Sequence, residues 1–371
     1  MRVIHVAPTA FGKDGLFGGG ERYPLELARA LAQHVPCELV SFGPDPGTRR
    51  EGPLIIRMVR PVAYLGGHPA RALAPALLSA IGRADIIHAH HMRAPSSVLA
   101  AVIARARGMP TVVTDHGLEG SDWGGLVPRL FDRFLAVSRY SAEELRTPPS
   151  RTRIIYAGVD PARLGPDPNV RRNGVLVVGR LTPHKGVDVL IRALPPDVRL
   201  TVVGSEGHDP RFPERDYPKL LRSLAAKRHV EFLGAINDEE LARRYRTAAV
   251  VVMPSVEETC YGRRVAVSEL LGLVVLESMA SGAPVIASRV GGLPEIVEDG
   301  VTGYLVPPGD VAALGARIAD VLGDPAAAAR LAWNARRRVV AELTWERCAQ
   351  RCLEAYRELL AITGTSRPRR P

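Results

Sequence analysis

Short unbroken apolar runs alternate with stretches of helical periodicity along the whole chain. In the first half the runs fall at Val3–Ala7, Glu38–Phe42, Ile55–Val59, Asp85–Ala89, Thr111–Thr114, Phe134–Val137 and Arg153–Tyr156. Their centres are apolar without alternation, the pattern of strands covered on both faces. Between them the spacing predicts helices over Glu21–His34, Ala70–Gly82, Ser96–Gly108 and Ser141–Arg146. The pattern breaks into proline, glycine and charge over Pro161–Arg172, a candidate linker. A second set follows, with strands at Val175–Val178, Arg199–Val203, Val230–Leu233, Val250–Met253, Pro284–Ala287 and Gly303–Val306. Its helices are expected at Val187–Ala193, Tyr217–Ala226, Asp238–Thr247, Leu273–Ser281 and Val311–Leu322, and three helical stretches end the chain. The polar, proline-rich Gly207–Pro218 reads as a surface loop.

Strand–helix alternation of this kind implies parallel sheets with helices on both faces. The expected fold is α/β, with two doubly wound Rossmann-like domains and a ligand in the cleft between them. The expected division is 1–165, 166–343, and a last segment, 344–371, holding a helix that packs back toward the first domain and a disordered tail.

Composition narrows the class. The 371 residues are 46% hydrophobic and 24% charged, which excludes a disordered chain. Four cysteines cannot build a disulfide framework, so a reducing, cytoplasmic setting is the default. The opening Met1-Arg2-Val3-Ile4-His5-Val6 reads as a buried strand rather than a leader. No apolar run approaches the roughly 20 residues that span a bilayer. The abundance of arginine, alanine, glycine and proline fits the coding of a GC-rich bacterium. The net charge of +10 raises nucleic acid as a partner. That charge is dispersed, and aromatics are only 5%, with no basic stripe interleaved with stacking residues, so nucleic acid is not expected. The arginines fit better an anionic acceptor or peripheral contact with a lipid surface.

Three motifs carry candidate chemistry. Gly18-Gly19-Gly20-Glu21 follows the first strand and opens a helix, where free amides and the positive dipole end receive an anion. It is neither a G-x-G-x-x-G dinucleotide fingerprint nor a P-loop, and alone it is a weak signal against a plain flexible turn. Val178-Gly179-Arg180-Leu181-Thr182-Pro183-His184-Lys185-Gly186 repeats the strand-to-helix turn in the second domain. Arg180 and Lys185, five apart across it, can face one diphosphate, against the alternative of two solvated cations. The strongest motif runs from Pro254-Ser255 through Glu269 to Glu277 and Gly282. With a helix starting near Gly272, the amides of Gly272 and Leu273 are unpaired. Glu269 then lies just outside the helix and Glu277 in its second turn, so the two acids can reach opposite ends of one elongated ligand.

This last run resembles the E-x7-E motif of the retaining glycosyltransferases of family four, a group with the GT-B fold. Phe232-Leu233-Gly234, Gly291-Gly292-Leu293-Pro294-Glu295 and the stretch Asp299–Asp310 extend the resemblance, in order, along nearly the whole chain. The resemblance implies transfer of a hexosyl or N-acetylhexosaminyl group, with retention, from a nucleoside diphosphate sugar to an acceptor hydroxyl. A UDP-sugar is the favoured donor, and a small natural product, cyclitol or lipid the acceptor. Gly19 and Gly20 are implied to lie close to the diphosphate, Arg180 and Lys185 to neutralise it, and the Gly272 and Leu273 amides to bind its oxygens. Glu277 is implied to hold the ribose, and Glu269 to touch the transferred sugar. His116, in Thr114-Asp115-His116-Gly117, matches a family histidine near the reacting centre. No cofactor or metal is implied.

Two departures bear on specificity. Val256–Ser268 is longer than the family's usual connection and is expected beside the sugar pocket, and Ala157-Gly158-Val159-Asp160 replaces an Asn-Gly-Val-Asp. His88 and His90 share a strand face and could bind metal, but no carboxylate or cysteine completes a known spacing. Lining of the acceptor cleft by His90 or His91 is favoured over metal. Cys348 and Cys352, with Trp345 and Tyr356, form a helical stripe read as packing. A sugar-nucleotide epimerase on the same fold and a non-catalytic nucleic-acid or anion binder are the alternatives. The complete E-x7-E segment weighs against the first.

Overall fold

The structure is a computed structural model that describes residues 1–8, 19–67, 69–116, 124–206 and 214–365. Gly18, Gly117, most of Gly207–Pro218 and the last residues of the tail lie outside these. The chain forms two compact units, one of Met1–Ala157 with Trp345–Pro371, the other of Gly158–Thr344.

In the first unit the parallel strands lie in the spatial order Thr152–Ile154, Arg133–Ala136, Thr111–Thr114, Ile86–His90, Val3–Val6, Cys37–Phe42 and Leu54–Val59. Helices at Gly19–Ala32, Pro95–Ala106 and Arg139–Leu145 connect them. An eighth strand, Gly47–Glu51, closes one edge antiparallel to Leu54–Val59. Its sequence, Gly-Thr-Arg-Arg-Glu, is exposed and carries no apolar face, so periodicity gave no sign of it. The helix expected over Ala70–Gly82 is replaced by a short strand, Ala72–Leu73, paired with Ala63–Tyr64, and a four-residue helix, Leu77–Ala80. Pro75 interrupts that segment, lacking the N–H a continuous helix would need. The closing helix Trp345–Thr365 packs on Gly19–Ala32, with the rings of Tyr23 and Trp345 edge to face at 5.3 Å. Its Cys348, Cys352 and Tyr356 are buried, so the helical stripe is packing.

The second unit holds six parallel strands in the order Val230–Gly234, Leu200–Val203, Val175–Val178, Val250–Met253, Val285–Ser288 and Tyr304–Val306. Five of the six are buried on both faces or nearly so, which explains their unbroken apolar runs. The stretch read as a linker belongs to this unit. The Arg172 guanidinium donates to the carbonyls of Tyr245, Ala248 and Ser281, and Arg246 donates to Gly165 and Arg163. Five backbone carbonyls satisfied by two arginines fix the proline-rich segment without secondary structure. No helix among the described residues is long and apolar enough to cross a membrane.

Candidate active site

In each of the two large sheets the strand order reverses at one point, and ligands of open α/β sheets bind outside the strand C-termini there. In the second unit the reversal lies between Val175–Val178 and Val250–Met253. Loops leaving these two strands carry Arg180 and Lys185 on one side, Pro254 and Ser255 on the other. They are joined by a backbone bond from Val256 N–H to the His184 carbonyl, 3.0 Å.

Glu269 stands where these loops meet, buried. Lys185 Nζ and Ser255 Oγ both donate to its Oε1, the hydroxyl at 2.8 Å. Among the described residues no hydrogen bond reaches Oε2. The ammonium and the carboxylate are only 17% and 8% exposed, so the pair is shielded from screening by water. Removing one member of a buried pair costs about 3–5 kcal/mol, because the other charge is left uncompensated.

The helix Leu273–Ala280 begins three residues beyond Glu269's neighbour Leu270, with Gly272 as its N-cap at φ 101°. A Cβ at Gly272 would come within 2.5 Å of Leu293 Cδ2. The residue has no side-chain cap, and the first helical amides, Leu273 and Val274, have no carbonyl within the helix to bond. Leu273 is one of the two residues whose amides the motif singled out, and the other, Gly272, is the cap itself. Glu277, one turn further, accepts from Tyr245 Oη at 2.8 Å. Tyr245 lies on Asp238–Thr247, a helix capped by the Asn237 side chain on Glu240 N–H and opened by three acids. Neither spacing nor motif pointed to Tyr245; a tyrosine on an otherwise charged helix was its only signal.

The Glu269–Leu271 backbone is clasped from the Gly291-Gly292 side. Gly292 N–H donates to the Glu269 carbonyl at 3.0 Å, and Gly291 sits at φ 55°. A Cβ at Gly291 would be 1.9 Å from the Glu269 oxygen.

The connection Val256–Ser268 forms a small bridge, Glu258 to Arg264, around the buried Thr259, whose hydroxyl accepts from the Tyr261 and Arg263 amides. It docks on the start of helix Tyr217–Ala225. Tyr261 Oη donates to Asp216 Oδ1, and Arg263 pairs with Glu214 at 2.9 Å.

In the first unit the reversal lies between Val3–Val6 and Ile86–His90, and five histidines gather there. Register places His5 beside His88, and the two-residue period puts His90 on the same face. His88 Nδ1 meets Tyr356 Oη at 2.7 Å and its Nε2 meets Thr114 Oγ1 at 2.9 Å. His5 Nδ1 meets His90 Nε2 at 3.0 Å, and His90 Nδ1 meets His116 Nε2 at 3.2 Å. Burial pushes the imidazole of His5 down to about 3, and holds His88, His90 and His116 well below the ordinary histidine range. All four are neutral at physiological pH. The ring of Tyr23 covers His116 with centroids 4.4 Å apart. Gly20, in the first turn of its helix, is close enough that a Cβ would approach His116 Cβ at 3.3 Å. Gly20 and His116, far apart in sequence, are thus neighbours, and Gly19 opens the same helix at the surface. Among the described residues, His5, His88 and His90 could hold a metal, their ligand atoms lying within 4.8 Å of one another. His88 and His90 already spend both ring nitrogens in hydrogen bonds, so a metal would have to displace them.

Two family models match the chain, "Glycosyltransferase Family 4" over residues 17–163 and "Glycosyl transferases group 1" over 165–338. A GDP-mannose-dependent alpha-(1-6)-phosphatidylinositol monomannoside mannosyltransferase of Mycolicibacterium smegmatis is 33% identical over 291 residues, 70% of this chain and 73% of the relative. A D-inositol 3-phosphate glycosyltransferase of a Mycobacterium species is 31% identical over 360 residues, covering 83% and 78%. Among solved structures, sucrose-phosphate synthase from Thermosynechococcus elongatus matches 98% of this chain and 100% of its own at TM-score 0.77 and 26% identity. Anabaena Alr3699/HepE, in complex with UDP and glucose, matches 96% and 100% at TM-score 0.74 and 22% identity.

Proposed function

Since the chain belongs to the family 4, group 1 glycosyltransferases, we propose that it moves a hexosyl or N-acetylhexosaminyl group, with retention, from a nucleoside diphosphate sugar to an acceptor hydroxyl. UDP is the favoured nucleotide, and a small natural product, cyclitol or lipid the acceptor. The observation that carries the reading is the grouping of Lys185, Ser255 and Glu269 beside the open N-terminus of Leu273–Ala280, with Glu277 one turn along.

As the glycosidic bond breaks, the sugar becomes cationic and the diphosphate gains negative charge. Arg180, Lys185 and the amides of Gly272 and Leu273 answer that charge where it grows. Glu269 Oε2 accepts from a sugar hydroxyl and Glu277 from the ribose, its second oxygen held by Tyr245. Glu269 enters the reaction already bound to Lys185 and Ser255, which suits a fixed acceptor better than a covalent nucleophile. This supports attack from the face the diphosphate leaves, with a phosphate oxygen taking the acceptor proton. In the N-terminal unit, Gly19 and Gly20 are assigned to close backbone approach to the diphosphate, and His116 to the transferred sugar.

A thermal-shift screen of the uridine, guanosine, adenosine and thymidine diphosphates tests the donor class, followed by NMR of the transfer product. One diphosphate should raise Tm well above the others, with its sugar transferred in the donor's own anomeric configuration. Stabilisation by none of the four, or an inverted product, overturns the reading.

A further inference from the structure

The geometry points to a one-way chain of shared protons, His5 to His90 to His116, that holds the His116 imidazole as an uncharged donor through Nδ1. His5 and His90 would be positioning residues that act through His116. Its use toward a sugar hydroxyl or a phosphate oxygen rests on the function proposed above.

The inference follows from counting protons. The three rings are joined by two nitrogen–nitrogen contacts, His5 Nδ1 to His90 Nε2 at 3.0 Å and His90 Nδ1 to His116 Nε2 at 3.2 Å. A neutral imidazole carries one N–H and one lone pair. Each contact therefore needs one donor and one acceptor, and His90, using both nitrogens, must accept on one side and donate on the other. Only two arrangements exist, and each fixes all three tautomers together. If the protons point from His5 outward, His5 carries its proton on Nδ1, His90 on Nδ1, and His116 on Nδ1. If they point inward, His116 carries it on Nε2, and His5 on Nε2.

His5 decides between the two. It is wholly buried in the strand Val3–Val6, and its Nε2 has no partner among the described residues. The inward arrangement would strand an N–H there, and orphaned buried N–H groups are rarer in folded proteins than under-used acceptors. The outward arrangement leaves only a lone pair. Burial keeps the rings uncharged, so no second proton blurs the count. His116 Nδ1, the one ring nitrogen of His116 that no described hydrogen bond uses, is then an N–H. It can donate to a hydroxyl or phosphate oxygen and cannot take a proton from one. His90 lies nearly parallel to both neighbours, at 17° to His5 and 15° to His116 with centroids 5.3 and 5.5 Å apart, so the rings meet edge to edge and each N–H can point at a lone pair in the ring plane. His88 lies outside the chain, anchored between Tyr356 and Thr114.

The test is nitrogen NMR of the full chain labelled with ¹⁵N-histidine, since protonated and bare ring nitrogens resonate far apart. In the wild type, His116 should show a protonated Nδ1 and a bare Nε2. His5→Leu removes the terminal donor, and His116 should become a mixture of tautomers. His5→Asn, whose amide can donate from near the Nδ1 position, should restore the single form. In transfer assays His5→Leu should lower kcat about tenfold, the low end of what losing a tautomer-fixing partner costs, with donor KM little changed; His5→Asn should recover most of it. A wild-type His116 protonated on Nε2, or an unchanged single tautomer in His5→Leu, overturns the chain. The wild-type spectrum decides even where His5→Leu fails to fold. Wild-type turnover by His116→Ala would instead remove His116 from the reaction, a failure of the functional assignment that the nitrogen signals distinguish.

Discussion

A single methyl group at Gly291 should disable the site more than it destabilises the fold. At φ 55°, alanine is in the left-handed region, which costs about 1–2 kcal/mol. Its Cβ would lie 1.9 Å from the Glu269 carbonyl oxygen, 2.9 Å from the carbon and 3.2 Å from the nitrogen, where contacts under 3.0 Å essentially never occur. The Glu269 peptide must therefore retreat by about 1 Å, since 3.0 − 1.9 = 1.1. The bond from Gly292 N–H would be lost with it, for about another 1 kcal/mol. The total, about 2–3 kcal/mol, predicts a Tm loss of about 4–12 °C for a unit of this size. The retreating peptide also carries the carboxylate held by Lys185 and Ser255, and leads into the Gly272 amide. A displacement of about 1 Å in a reacting constellation costs about 100-fold in rate. Gly309→Ala is the control: φ is 77°, and a Cβ there meets nothing within 4 Å. It should show the strain alone, a smaller Tm loss with kcat/KM unchanged. Calorimetric melting and steady-state transfer kinetics on both variants decide the matter. Gly291→Ala with kcat/KM within threefold of wild type would refute the claim that this glycine sets the position of Glu269.

Glu269→Ala should abolish turnover while nucleoside diphosphate still binds nearly normally by calorimetry; equal loss of both would place Glu269 on the nucleotide instead. Glu277→Ala should weaken that binding tenfold or more, about 1.5–3 kcal/mol for a charged hydrogen bond, and Tyr245→Phe, which removes only the hydroxyl on Glu277 Oε2, about three- to tenfold. Unchanged affinity in both would remove the ribose role. Arg180→Ala should lower kcat/KM by about two to three orders of magnitude, and Arg180→Lys should rescue only in part because it lacks the planar fork; near-normal kcat/KM in Arg180→Ala would remove the residue from the reaction. His5, pushed down to about 3 by burial, makes stability pH-dependent: the unfolded chain takes up the proton first, so its contribution is full above about pH 6.5 and drains as pH falls toward 3. Denaturant titrations at pH 7 and pH 5 should differ by about 2 kcal/mol less in His5→Phe than in wild type; an identical difference would show that His5 titrates alike in both states.

What could be read before the fold was known, and what could not, divides along the range of the forces involved. Strands buried on both faces announce themselves as apolar runs, because each position answers locally to the same dry surroundings. The helix Leu273–Ala280 was legible for a similar reason: Gly272 marks a left-handed turn within a few residues of both glutamates. Gly47–Glu51 was not legible, since its hydrogen bonds come from Leu54–Val59 across the Gly52 turn and its side chains face water. The apolar spacing over Ala70–Gly82 misled because proline outweighs periodicity when it falls inside a segment. Individual side-chain contacts of long range were hidden. Lys185 meets Glu269 across 84 positions, and Tyr245 meets Glu277 from a helix that precedes it. His5 is the plainest instance. In sequence it is one polar residue in an apolar strand, and its partners His90 and His116 lie on other strands or beyond them. Only the register of Val3–Val6 against Ile86–His90 turns that isolated imidazole into the inner end of a hydrogen-bonded chain. A buried polar residue in a strand that otherwise has no tolerance for one therefore has a partner to be found on the neighbouring strand, and the choice of neighbour is set by topology.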